Sequence, residues 1–141
     1  MSSTYKYRFR SPLGGLAADL TAECGAPADG DVHLQIDRSV RLALPPGVNW
    51  RDAAWLSFGL AVHATDLASR HPEGLCVRVT SFDFPLAHFR SEVAALAMDG
   101  WLRQEFGLPD RGLGVAFDAA GGTYRFHWGT HEEPFSDDLV N

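Results

Sequence analysis

Tyr5, Tyr7 and Phe9 alternate with Lys6, Arg8 and Arg10 near the start of the chain. That two-residue period predicts a half-buried strand whose basic stripe faces solvent. Val32, Leu34 and Ile36 alternate in the same way, and 40–44 either continues that strand or pairs with it. Residues 16–23 fit a short strand or one or two turns of helix. The apolar run Leu75, Cys76, Val77, Arg78, Val79 and Thr80 reads as a well-covered strand. After Pro109, the runs 114–118 and 123–128 flank Ala119, Ala120, Gly121 and Gly122, which is the pattern of a β-hairpin.

Two segments carry the helical period instead. In 50–70, Asn49 is placed as an N-cap with Asp52 in the first turn, and His71, Pro72, Glu73 and Gly74 end the helix. Trp55, Phe58, Val62 and Thr65 form one apolar stripe, and Leu56, Leu60 and Leu67 form another. Such a helix is expected to be covered on two sides, leaving Gly59, His63, Asp66 and Arg70 as a narrow remaining stripe. In 91–106, Ser91 is the expected N-cap, and Gly107 with Pro109 stops the helix. Val93, Leu96, Ala97, Gly100, Trp101 and Gln104 share the face that should lie on a sheet. Asp99 and Arg103 are expected to pair in water on the other side. Gly100 costs about 1 kcal/mol in a helix interior, so a close approach to a neighbouring helix or to the sheet is its expected use. These elements predict an α+β two-layer sandwich: a mostly antiparallel sheet of about four to six strands packed with two main helices. The expected organisation is a single domain, 1–141, with an acidic, loosely held tail at about 130–141.

Composition narrows the function classes. The chain has 141 residues, enough for a core without covalent staples, and its 45% hydrophobic and 21% charged residues are those of an ordinary globule. No apolar run reaches the ~18 to 20 residues needed to span a bilayer, and the first residues lack the apolar core of a signal peptide. The expectation is therefore a cytoplasmic protein without a membrane partner. The net charge of −6 disfavours broad nucleic-acid binding. Eleven of the twelve basic residues are arginine, a bias consistent with a GC-rich genome and weak as a sign of anion recognition. Cys24 and Cys76 show no metal-type spacing, and Cys76 reads as a small buried hydrophobe.

Few residues point to chemistry. The loop after the central strand holds Phe82, Phe84, His88, Phe89 and Arg90, which as a group can line a binding pocket ahead of the following helix. The plainer alternative has the phenylalanines plugging the sheet end and Arg90 paired with an acid. His63 and Asp66 stand three apart on a helix, a spacing that can place two ligands on one metal, although no third ligand is identifiable. His127 and His131, beside Glu132 and Glu133, are weak metal candidates because no fixed geometry follows from their spacing. Ser57, Ser81 and Ser91 lack the nucleophile-elbow motif, and neither cysteine has a placed histidine. No catalytic residue and no cofactor is expected.

The strand ending in Val77, Arg78, Val79 and Thr80, the aromatic loop, and the helix opening at Ser91, Glu92, Val93 and Ala94 together resemble domain IV of translation elongation factor G. Phe84 falls where that domain's loop has a tyrosine, Arg90, Ser91 and Glu92 fall on its Ser-Ser-Glu, and Ala97 matches a small helix residue. The likeness runs without a gap over about 78–106 and more loosely back to Val32. It implies a ribosomal protein S5 domain 2-like fold with a left-handed strand–helix–strand crossover. The chain has no counterpart of the GTP-binding domain, so GTPase activity does not carry over; the family's RNA-reaching loops are not recognisable, and the acidic charge disfavours that role.

The reading that follows is a non-catalytic interaction module. The apolar helix 50–70 and aromatics near Trp128 and Phe135 would serve a protein partner or a homodimer. The alternatives are a small-molecule or metal-dependent enzyme with a site near His88 and Arg90, and a ribosome- or RNA-associated protein.

Overall fold

The computed structural model describes residues 2–26 and 28–131, and the chain separates into two compact units, Met1–Leu108 and Pro109–Asn141. The first holds strands β1 (Ser3–Phe9), β2 (Leu16–Cys24), β3 (Val32–Gln35), β4 (Val40–Leu44) and β5 (Leu75–Asp83), with helices α1 (Trp50–Val62), α2 (Ala64–Arg70) and α3 (Val93–Phe106). The strands form one sheet in the order β1-β2-β5-β4-β3. Every pairing is antiparallel except β4 with β5, which are joined through α1 and α2. Residues 16–23 are thus strand, and 40–44 pairs with 32–35 rather than continuing it.

The helices cover one sheet face. Leu16, Ala18, Leu20 and Ala22 of β2 alternate inward with Leu75, Val77 and Val79 of β5 and Leu42 of β4, as the two-residue period demands. The other face is polar. Arg78, in the middle of that face, bonds Glu23 Oε1 at 2.7 Å and Asp31 Oδ2 at 3.0 Å. The Ala28 amide first, and Arg78 second, hold the Asp31 carboxyl below the ordinary aspartate range.

α3 is the core of the unit, buried continuously through ten residues from Val93 to Leu102. It lies on β1 and β2 and against α1. Both contacts depend on missing side chains. A Cβ at Gly100 would stand 2.2 Å from the Tyr5 ring, and one at Gly59 of α1 would stand 2.7 Å from the Ala95 carbonyl oxygen. The expected close approach at Gly100 is therefore made to the sheet. Trp101 adds direction, its indole N–H reaching the Ser3 carbonyl at 3.1 Å and the Ser3 hydroxyl at 3.0 Å.

The helical segment 50–70 departs from expectation in two ways. It breaks at His63, whose amide bonds the Leu60 carbonyl three residues back, and it buries one face rather than two stripes. That face runs through Asp52, Trp55, Leu56, Gly59, Leu60, His63, Ala64 and Leu67. Gly59 and His63, expected on the narrow stripe left beside the two apolar ones, are instead buried. They are inside because Gly59 allows α3 to approach and His63 has a buried partner. His63 Nε2 lies 2.7 Å from Asp99 Oδ1, and Arg103 Nε lies 3.3 Å from Asp99 Oδ2. The Asp99–Arg103 pair thus forms as its spacing suggests, but Asp99 is 2% exposed rather than in water. Asn49 caps α1 as expected, accepting from the Asp52 amide at 2.9 Å and donating to the Asp52 carboxylate at 3.0 Å. Burial raises the Asp52 carboxyl, and the Asn49 bond partly offsets that rise. α3 opens at Val93 without a side-chain cap. Ser91 instead offers its carbonyl to the Ala94 amide at 3.0 Å.

The second unit is a hairpin of β6 (Leu113–Asp118) and β7 (Thr123–Trp128). Its register puts Leu113, Val115 and Phe117 directly across from Trp128, Phe126 and Tyr124, so one face is apolar. Asp118 closes the turn, accepting from the Ala120 and Gly121 amides and from Arg125. Trp128, expected among exposed aromatics, is 6% exposed. Phe135 and the tail from 132 onward lie outside the described residues.

Three outcomes test this packing. Gly100→Ala should destabilise the fold by about 1–3 kcal/mol in urea unfolding, since the Tyr5 ring must move. Asp99→Ala should cost about 1–3 kcal/mol by stranding the His63 ring, and adding His63→Leu should recover part of it; strictly additive costs would contradict the pairing. In the hairpin, the Gly121 amide first, then Arg125, holds the Asp118 carboxyl low. A depressed carboxyl stabilises the turn above the ordinary aspartate range, and that support is lost as pH falls through the folded-state pKa. The Ala120 and Gly121 amide signals should therefore shift on acidification, and Asp118→Asn should abolish the response.

Candidate functional site

β5 runs well beyond its partner β4, whose last paired residue, Ala43, sits opposite Arg78. Its far end reaches Asp83 beside Asp19 of β2, and the loop 84–92 folds there against the turn that joins β1 to β2. In sheets with parallel strands the carboxyl end is where a crevice can open, and two shallow clefts adjoin at this end. The first, of about 390 Å³, lies between Arg8, Ala17, Ala18 and Asp19 on one side and Asp83, Phe84 and Pro85 on the other. The second, of about 340 Å³, is bounded by Arg8, Phe9, Arg10, Gly14, Gly15, Leu16, Ala17 and His88. Arg8 and Ala17 line both.

The β1–β2 turn is tight because Gly15 adopts φ of 100°, and a Cβ there would fall 2.0 Å from the Phe9 carbonyl oxygen. Only glycine supplies both the left-handed backbone and the space. Gly14, beside it, gives room to the His88 imidazole, which stands where a Cβ would come within 2.8 Å.

Of the five residues expected to line one pocket, three meet. Phe84 and Phe89 stack with ring centres 3.6 Å apart and planes 11° from parallel. Phe82 packs at 5.3 Å from Phe84 and 5.7 Å from Phe89. The three rings pack on one another, and Phe84 also walls the first cleft. His88 turns away from the rings towards Gly14, on the single 3-10 turn Leu86–His88. Arg90 is exposed and lines neither cleft.

The cations of the site come from β1. Arg8 Nη2 holds Asp19 Oδ1 at 2.8 Å while its Nη1 bonds the Tyr7 carbonyl at 2.7 Å. Arg10 follows it into the second cleft. The basic alternation along the strand was visible in the sequence, but its meeting with 83–88 depends on the β1–β2–β5 register, which no local pattern encodes. Two large apolar side chains stand in solvent on the facing loops, Leu86 at 86% and Leu13 at 52% exposure.

Among the described residues the metal candidates do not come together, and Glu132 and Glu133 lie outside those residues. His63 faces inward to Asp99 and not along the helix surface with Asp66. His127 is exposed on β7, and His131 Nδ1 lies 3.2 Å from the Trp128 carbonyl. Among the described residues no group of three or more histidine, cysteine, aspartate or glutamate side chains is placed to hold a metal ion. Cys76 is half-buried rather than fully inside, and Cys24, on the neighbouring strand, is exposed. Among the described residues no helix is long and apolar enough to cross a membrane.

No protein-family model, curated protein or solved structure matches the chain.

The aromatic stack is what orders the loop. Phe89→Ala should speed amide exchange at Leu86, Ala87 and His88 while leaving α3 amides as protected as before. Equal acceleration in α3 would show that the rings support the core instead.

Proposed function

We propose that the chain is a non-catalytic interaction module that receives a segment of a partner protein at the loop end of its sheet. The observation that carries this reading is the pair Leu13 and Leu86, exposed on two loops that meet at Gly14 and His88, at the sheet end where Arg8 and Phe84 wall a cleft. The clefts are shallow and open, a shape suited to an extended segment lying across the surface rather than to an enclosed small molecule. An apolar contact rimmed by arginines is also the usual composition of a protein interface.

The helix 50–70 no longer supplies the motive for a partner. Its apolar face is consumed by α3 and the sheet, and among its large apolar residues only Trp50 stands well out, at 74% exposure with the Arg51 guanidinium 5.3 Å from its ring centre. An enzyme centred on His88 and Arg90 has less support, because these two residues share neither cleft. The elongation-factor likeness runs without a gap only over about 78–106 and more loosely back to Val32, and the acidic net charge weighs against ribosome association through it.

A photo-crosslinking residue in place of Leu86 tests the reading in cells. One dominant adduct is expected, lost when Leu13→Asp is added and absent when the crosslinker replaces Gln35 on the opposite sheet edge. The same adducts from both positions would contradict it. Both leucine positions are exposed, so thermal melting should change little.

A further inference from the structure

We propose that β1 is a docking edge for an extended partner segment in which acidic and apolar residues alternate. This deepens the interaction reading above and rests on it. β1 ends the sheet, so among the described residues no strand pairs with one side of its backbone. Among the described residues no backbone–backbone bond from a turn or loop reaches the stretch 3–8. Its seven residues are long enough for an added strand to make a ladder.

Side-chain chemistry selects the segment. Lys6 and Arg8 are exposed on the open sheet face, and Arg10 follows at the end of the strand. Arg8 already holds Asp19, whereas Lys6 and Arg10 have no ion pair among the described residues. On an added strand the residues opposite these two lie on the same face, where opposite charges attract and like charges repel. Acidic residues fit there. The alternate residues of the segment would lie beside Tyr5, Tyr7 and Phe9, all half-buried, and should be apolar. Charge also rules out a second copy as the occupant, since β1 against β1 would set the basic stripe against itself. The segment would leave the edge at Arg10, next to the cleft that this arginine shares with His88.

The test uses the full chain and a fluorescent peptide of roughly nine residues alternating Glu and Val, a length matched to one strand. Fluorescence anisotropy should show saturable binding. A scrambled peptide of the same composition should bind at least about tenfold more weakly. N-methylation of one alternate set of amides should abolish binding, and methylation of the other set should be tolerated. The Lys6→Glu, Arg10→Glu double variant should weaken binding by about tenfold, with an unchanged melting curve. Equal binding of the scrambled or of both methylated peptides would overturn edge pairing. No peptide binding with the Leu86 crosslink intact would overturn the edge proposal alone, and loss of both would overturn the interaction reading as well.

Discussion

A helix buried along ten consecutive residues must satisfy every neighbour at once, and α3 does so through two missing side chains and one polar pair. Gly100 admits the Tyr5 ring on the sheet side, and Gly59 brings α1 against Ala95 and Met98. With the helices this close, Asp99 has no route to water, so its carboxylate must find a partner inside. His63 is that partner, and the break between α1 and α2 falls at this residue. The pair, with Arg103 reaching the second carboxylate oxygen, ties the crossover between the parallel strands to α3.

That tie matters for the far end of the sheet. α3 follows directly on the loop 84–92, and β5 leads into the same loop. Both ends of the loop are therefore anchored in rigid elements, β5 in the sheet and α3 in the core. A loop held at both ends can present Leu86 and Phe84 in a fixed place at little entropic cost, which is what a recognition surface needs. The facing turn is held as firmly, by the Gly15 backbone and by the seven-residue register between β1 and β2. That end of the sheet is thus made of short, well-supported loops beside the outer edge of β1.

Much of the fold was legible in the chain because its signals are local. The alternation of Tyr5, Tyr7 and Phe9, the Asn49 cap, the Gly107 stop and the glycine turn of the hairpin each depend on a few neighbouring residues. The errors share a different cause. Gly59 and His63 are buried for what they meet across 36 residues of sequence, and a helical period cannot distinguish a small residue left in solvent from one pressed against another helix. Asp99 looked solvent-exposed because it pairs with Arg103 at a surface spacing, and the spacing is the same inside. The phenylalanine cluster was visible as three residues, but Arg8, which shares a cleft with Phe84, enters through strand register. The sequence alone supplies no such register. Likeness to elongation factor G remains a proposal, carried by residues 78–106 and more loosely back to Val32.

The His63 imidazole offers the most direct test of the interaction on which α3 depends. Nitrogen-resolved proton NMR of the intact chain, read at the histidine rings, distinguishes a buried bonded imidazole from one in water. The account predicts one His63 ring proton in slow exchange with solvent, carried on Nε2 and lost in Asp99→Ala. A His63 ring whose protons exchange as fast as those of exposed His127 would contradict it, and with it the arrangement of α1, α2 and α3.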